Sequence, residues 1–304
     1  MTYSELKEGF LLILHVEIKK IMTRKINVHK HSGEKQPFSE EKLISSIIRA
    51  GATGELAQEV ASELSKLLYD GISTREIYRN AFRILRKKVR SLAARYSLKN
   101  AIMQLGPSGY PFEKFVGEIF RKEGYRVKTG QIIQGQCIQH EVDVVAVNKH
   151  LTIMAECKYG NDQGKVSSVQ VPLYVNSRFQ DIRQVWQNVP ENQDMNFQGW
   201  IFTNTRFSHD AEIYGTCAGL NMVSWNFPER GNLKNLVEKN GLFPVTALTG
   251  LNRNQKQELV SLDVILVDHL EGKPELLKDF DLTEKKIRDI MEEVSALCAV
   301  ARIL

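Results

Sequence analysis

Two strand-forming runs separated by three residues constrain the fold of this chain more than any other feature. Val142-Asp143-Val144-Val145-Ala146-Val147 and Leu151-Thr152-Ile153-Met154-Ala155-Glu156-Cys157-Lys158 are rich in β-branched and apolar residues, and Asn148-Lys149-His150 between them suits a hairpin loop. An antiparallel hairpin brings Asp143 and Glu156 onto adjacent strands, although twelve residues separate them in the chain. Side chains alternate between the faces of a strand, so Glu156 and Lys158 project together. Cys157 points the other way and offers that side only its backbone carbonyl.

Two carboxylates and a lysine in this arrangement suit metal-assisted cleavage of a phosphodiester. The reaction needs a water placed in line with a shielded phosphorus and a positive group to meet the charge that builds on oxygen. Mg²⁺ prefers oxygen ligands and is commonly held by one or two carboxylates, with water and phosphate completing its shell. Asp143 and Glu156 supply those carboxylates. Lys158 then stands where it can orient or deprotonate the attacking water. Glu and Lys alternating on a strand also serve as solvated gatekeepers of a sheet edge, so the surroundings matter. A helix precedes the strands over residues 111–121, with Phe112, Phe115, Val116, Ile119 and Phe120 at helical spacing and Gly124 as its C-cap.

Phe112-Glu113, Gly124-Tyr125-Arg126-Val127, His140-Glu141-Val142-Asp143 and Glu156-Cys157-Lys158 together resemble the PD-(D/E)xK nuclease superfamily. The pattern is most similar to Mrr-like type IV restriction endonucleases and, more distantly, to archaeal-type Holliday junction resolvases. It continues through a core strand at Trp200-Ile201-Phe202-Thr203-Asn204-Thr205 and a helix over 208–219, covering roughly residues 107–240. The resemblance implies a restriction-endonuclease-like α/β domain with a mixed sheet, acting on DNA with Mg²⁺ or Mn²⁺. It makes Asp143, Glu156 and the Cys157 carbonyl the metal ligands and Lys158 the catalytic lysine. Glu113, eleven residues ahead of Gly124, joins from the periphery or at a second metal, with Glu118 on the same helix as its competitor. His140, at the start of the Asp143 strand, is either a phosphate contact or a surface histidine. Gln170, in Val169-Gln170-Val171, is read as an exposed strand or helix position.

Residues 24–106 read differently. A short strand at Ile26-Asn27-Val28 leads through Gly33 to Pro37-Phe38-Ser39, where Ser39 is a natural N-cap and Glu40 and Glu41 suit the helix dipole. A second helix is expected from about Glu55 to Tyr69 on Leu56, Val60, Leu64, Leu67 and Leu68. Ser73-Thr74-Arg75-Glu76 is a capping-box pattern, and a long third helix is expected to run from it to about Met103. Val28, Lys30, Gly33, Phe38-Ser39-Glu40-Glu41-Lys42-Leu43, Ile48-Arg49-Ala50 and Arg95-Tyr96 resemble the ATP-cone, the nucleotide-sensing module of ribonucleotide reductases and of the bacterial repressor that controls them. The resemblance implies ATP or dATP as an effector. Lysines beside a helix N-terminus suit a triphosphate, which makes Val28, Lys30 and Lys42 the expected nucleotide contacts. His31 and Ser32 depart from the Arg-Asp common in that family and weaken the phosphate grip. Arg79, Arg83, Arg86, Lys87 and Arg90 stripe the third helix, as a solvated face does or, alternatively, a phosphate-tracking one.

Gly106-Pro107-Ser108-Gly109-Tyr110-Pro111 is the clearest linker, and Asn240-Gly241-Leu242-Phe243-Pro244 is a second candidate boundary. The expected organisation is a multi-domain α/β protein. A peripheral tail spans 1–23, a small helical ATP-cone with a short β element 24–106, the nuclease-like domain 107–240 and a helical region 241–304. Within the last, helices are expected over 254–262 and 283–299, and residues 276–286 resemble a helix-hairpin-helix element without its glycines. The tail carries an apolar run at 10–14 flanked by Glu5, Glu8 and Glu17, a poor signal peptide, and Met22 is a candidate start.

A net charge of +5 permits a polyanionic partner without demanding one. The four cysteines at 137, 157, 217 and 298 form no Cys-x-x-Cys pair, so a reducing, cytoplasmic setting is expected. No stretch approaches transmembrane length, which implies no membrane partner. The expected function is a metal-dependent DNA endonuclease, restriction-type and regulated by adenine nucleotide. Two other classes fit: a structure-specific repair or recombination nuclease, and a non-catalytic, nucleotide-responsive DNA-binding regulator. One site per chain favours a homo-oligomer if both strands are cut.

Overall fold

The structure is a computed structural model that describes residues 26–30 and 33–303. The expected tail over 1–23, with its run at 10–14 and Met22, lies outside the described residues, as do His31 and Ser32. The chain divides into two compact units, residues 1–96 and 97–304. That division falls ahead of the Gly106-Pro107 linker, and residues on both sides of Asn240-Gly241 belong to the second unit.

In the first unit, strand β1 (Asn27–His29) pairs antiparallel with β2 (Lys35–Pro37). Helix α1 (Glu40–Arg49) begins where Ser39 accepts the Lys42 amide, with Glu40 and Glu41 in its first turn. Helix α2 (Gly54–Ser65) is capped by Thr53 and stops short of Tyr69. Its end tightens, with Leu67 N–H donating to Leu64 and Leu68 N–H to Ser65. Strand β3 (Ile72–Ser73) returns to pair parallel with β1. Helix α3 (Thr74–Lys88) starts on the Ser73 cap, but the expected single helix to Met103 is broken. Val89 adopts an extended backbone (φ −144, ψ 105), and the chain restarts as α4 (Arg90–Tyr96). Leu43 and Ile47 of α1, Val60 and Leu64 of α2, and Ala81, Ile84 and Leu85 of α3 form the core. Arg79, Arg83, Arg86 and Lys87 lie exposed on the opposite side of α3, as either reading of that stripe requires.

The second unit opens with α5 (Leu98–Ile102), a further piece of the expected third helix, and continues into α6 (Tyr110–Lys122). Gly124, at φ +87, turns the chain out of α6, a conformation for which glycine carries no Cβ penalty. Strands β4 (Arg126–Gln134), β5 (Gln139–Val147) and β6 (Leu151–Lys158) follow as an antiparallel meander. The hairpin loop is fixed by Asn148, whose Oδ1 accepts the amides of His150 and Leu151, each at 2.9 Å. After β7 (Val166–Ser167) comes α7 (Gln170–Trp186), so Gln170 opens a helix. Then follow β8 (Asn196–Thr203), β9 (Arg206–Phe207), α8 (His209–Cys217) and β10 (Asn221–Val223). The sheet runs β10-β8-β6-β5-β4, with β6, β8 and β10 parallel and β4 and β5 antiparallel, the mixed sheet expected.

One face of this sheet is covered by α6, through Phe115, Val116, Ile119 and Phe120, with Phe120 set edge-on to Trp200 and Phe202. The other carries α7 and α8, with Val175, Phe179 and Ile182 against Met154, Ile201 and Met222. Beyond α9 (Leu233–Lys239) lie α10 (Arg253–Ser261) and α11 (Glu284–Ile303). Buried Glu293 of α11 accepts the amides of Thr249 (2.7 Å) and Gly250 (3.1 Å), tying the C-terminal helix to the loop before α10. The segment read as a helix-hairpin-helix is a 3-10 turn over Pro274–Phe280, a left-handed Asp281 (φ 50) and the start of α11.

Candidate active site

The ladder between β5 and β6 stops at the pair Val144 and Ala155, and the next amide turns to a side chain. Cys157 N–H donates to Asp143 Oδ2 at 2.6 Å, so Asp143 replaces the missing rung and is fixed against the end of β6. The strand alternation then does what the sequence predicts. Glu156 and Lys158 meet on one side, Lys158 Nζ lying 2.5 Å from Glu156 Oε1, and Cys157 is buried. On the other flank of β5, Gly130 occupies the register position between the pairs Thr129–Val144 and Gln131–Val142, opposite Asp143. It has φ +60, and the space a side chain there would take is open. A glycine at such a strand position permits close backbone approach by a ligand.

Glu156 is 3% exposed and ion-paired at both oxygens, to Lys158 and to Arg178 of α7. Arg178 is itself held by Tyr174, whose hydroxyl takes Nη2 at 3.0 Å while the guanidinium lies 4.8 Å from the ring centroid. Sequence reasoning missed Arg178. Its signal was the spacing Gln170, Tyr174, Arg178, which puts three polar side chains on one face of a helix that follows the lysine strand.

Asp143 is pushed up to about 6, first by burial and then by Glu156, against the opposing pull of the Cys157 amide, Lys158 and Arg178. Glu113 is pushed up to about 7 by burial and by the negative charges of Asp143, Glu141 and Glu156. It stands in the first turn of α6, where the helix dipole favours an anion. Burial and three like charges outweigh that effect. Of the two candidates on α6, Glu113 therefore shares the field of Asp143 and Glu156, whereas Glu118 pairs with Arg121. Among the described residues no three His, Cys, Asp or Glu side chains form a ready-made cation cluster, and Glu156 is turned to Lys158 and Arg178.

His140 is drawn away from this centre. Its Nε2 lies 2.8 Å from Asp181 Oδ2, and Asp181 also accepts the amides of Cys137 (2.9 Å) and Ile138 (3.4 Å). It ties the β4–β5 turn to α7. In the first unit, Val28 is buried in β1 between its two neighbours, Lys30 is paired with Glu34 at 2.9 Å, and the Lys42 side chain is exposed at the start of α1. No disulfide joins the cysteines. Among the described residues no helix is long and apolar enough to cross a membrane.

Two families match separate parts of the chain. The ATP cone domain family matches residues 26–101, and the AF1548-like C-terminal family matches residues 243–298. An uncharacterized protein of Archaeoglobus fulgidus is 31% identical over 179 residues, spanning 97% of that protein and 59% of this chain. The chain belongs to the AF1548-like family. The crystal structure of AF1548, a protein of unknown function, aligns over its whole length and 63% of this chain, at 29% identity and a TM-score of 0.50. A lesser likeness is to MspJI restriction endonuclease in complex with a 27-mer oligonucleotide, 15% identical over 57% of this chain and 36% of that one, TM-score 0.30. The N-terminal unit carries an ATP-cone domain, which sits ahead of the mixed α/β unit on the same chain.

Proposed function

We propose that this protein is a metal-dependent DNA endonuclease of the restriction type, regulated by adenine nucleotide at its ATP-cone. The observation that carries the reading is the meeting of Asp143, Glu156 and Lys158 where the β5–β6 ladder stops, at the end of β6, with Glu113 in the same field. Burial first, and then mutual repulsion, make two of these carboxylates resist ionising, and a hard divalent cation among them would relieve the repulsion. The donor set fits Mg²⁺ or Mn²⁺: Asp143, Glu156 and the Cys157 carbonyl would hold it, with Glu113 at the margin. Bound there, the metal would supply charge for the phosphoryl oxygens and a more acidic water. Lys158, on the same face as Glu156, would orient that water and meet the scissile phosphate.

One observation favours a second reading. Both Glu156 oxygens are already ion-paired, as they would remain in a DNA-binding regulator that never takes a metal. The test is a cleavage assay on methylated, unmethylated and branched DNA with Mg²⁺ or Mn²⁺, with and without ATP. Metal-dependent cuts, lost in Asp143→Asn, support the nuclease. Undiminished cutting in excess EDTA sinks the metal mechanism, and DNA binding without cleavage under every condition selects the regulator. The branched substrate separates a repair or recombination nuclease from a restriction-type one.

A further inference from the structure

Away from the carboxylates, a half-buried lysine lies against an indole within the unit formed by residues 97–304, and the charge of a nearby arginine is felt at that lysine. Lys99 of α5 holds its Nζ 5.8 Å from the centroid of the Trp225 ring. The backbone amide of Trp225 donates to the Thr205 carbonyl at 3.3 Å, which sets the Trp225 backbone next to that of Arg206 of β9. Arg206 lies just past Thr203, the residue paired with Lys158 where β8 and β6 end together. Among the described residues neither Lys99 nor Arg206 has a carboxylate partner.

That arrangement is unfavourable in isolation. A lysine is normally left in water or paired with an anion, yet Lys99 is half-buried with a second cation for a neighbour. Burial, then the Arg206 guanidinium, holds its ammonium below the ordinary lysine range. The indole contact offsets part of this, since the negative face of the ring attracts a cation, but it does nothing for the repulsion between the two charges. An anion arriving between them removes both costs. Arg206 is exposed, so the pair is open to such a ligand from solvent.

We propose that Lys99 and Arg206 form a phosphodiester-binding site that grips the DNA backbone beside the strand ends bearing Glu156 and Lys158, with Trp225 holding Lys99 in place. The inference rests on the reading of this chain as one that acts on DNA, and adds a contact lying outside the carboxylate and lysine pattern. Lys99 also falls within the stretch matched by the ATP cone family, residues 26–101. The last turn of that match thus carries a DNA contact inside the α/β unit.

The test measures duplex binding by the full chain in EDTA across a salt series, for wild type, Lys99→Gln, Lys99→Arg and Arg206→Gln. Each glutamine variant is expected to bind about tenfold more weakly at low salt and to lose about one unit from the slope of log K on log salt. Lys99→Arg is expected to keep both. Because a repulsive pair is removed, the melting temperature of Lys99→Gln should stay level or rise, whereas a merely structural lysine would lower it. Wild-type binding with unchanged affinity and slope in both glutamine variants overturns the site and leaves the nuclease reading standing. No salt-dependent DNA binding by wild type removes both. Loss of ATP binding in the same variants, with DNA binding intact, would give the pair to a nucleotide phosphate and overturn the proposal.

Discussion

Glu113 shows how burial, reinforced by like charges, sets the character of single residues at this site. Below pH about 4.5 its carboxyl is protonated in folded and unfolded chains alike and has no effect on stability; between about 4.5 and 7 the unfolded chain ionises while the folded one resists. Metal-free stability therefore falls with rising pH across that window, and the full cost is present above it. Glu113→Gln removes the cost. In EDTA, its melting temperature should match wild type near pH 4 and exceed it near pH 8, by a margin equivalent to about 1 kcal/mol once its half-exposed position is allowed for. A constant offset across the range would show that Glu113 does not titrate as described. Asp143, Glu156 and Lys158 answer to a different test. Asp143→Asn and Glu156→Gln keep acceptors for Cys157 N–H and Arg178, so the fold should hold. These two and Lys158→Met should each lower cleavage by a factor of about 10²–10⁴, with DNA affinity within about threefold of wild type, because affinity comes largely from phosphate contacts. Single-turnover cleavage and anisotropy on the same preparations separate the two effects. If Glu118→Ala proves the crippling change on α6 and Glu113→Gln is silent, the helical carboxylate is misassigned.

At the scale of elements, the β5–β6 hairpin was legible because every local signal agreed: strand formers on both arms, a loop of three, and a period of two that fixed the faces of Glu156, Cys157 and Lys158. Helix α6 was legible for the same reason, apolar spacing ending at a glycine that needs positive φ. The break at Val89 was not, since a β-branched residue is tolerated in helices and only tertiary packing makes it a boundary. Arg178 was missed because its partner lies on a strand 22 residues away in sequence, a long-range pairing that periodicity cannot reveal. The same limit hid Asp181, which decides the role of His140. Asp181 is held down at about 2, by His140 first and then by the amides of Cys137 and Ile138. A depressed carboxylate stabilises the fold above its unfolded value and loses that contribution as pH falls through about 2. Asp181→Ala should therefore lower the melting temperature at neutral pH but have little effect below pH about 2. It should also speed hydrogen exchange at the Cys137 and Ile138 amides while leaving the amide of Cys157 protected. Equal loss of protection at Cys157 would mean that the β4–β5 turn and the carboxylate site open as one unit.

At the scale of the whole molecule, an ATP-cone and an α/β unit on one chain make regulation a matter of differential binding. A nucleotide shifts activity or assembly only so far as it binds one state of the protein more tightly than another. No Gly-rich loop followed by Lys-Ser or Lys-Thr occurs in the sequence, so the expected behaviour is sensing without hydrolysis. ATP or dATP should bind to the region 24–106 through Lys30 and Lys42, and at about a hundredfold excess over Kd should stabilise the protein by about 2.7 kcal/mol. Lys30 must first leave Glu34, with which it is paired at 2.9 Å. Glu34→Gln should therefore tighten binding. Lys30→Ala and Lys42→Ala should each weaken it about tenfold or more, as expected for loss of a charge-assisted hydrogen bond to phosphate. Calorimetry with ATP and dATP measures all four proteins, and the same preparations report on cleavage and on oligomeric state with and without nucleotide. Absence of adenine-nucleotide binding by wild type removes the sensor role, and steady ATP turnover by the pure protein shows that the module hydrolyses what it was expected only to sense.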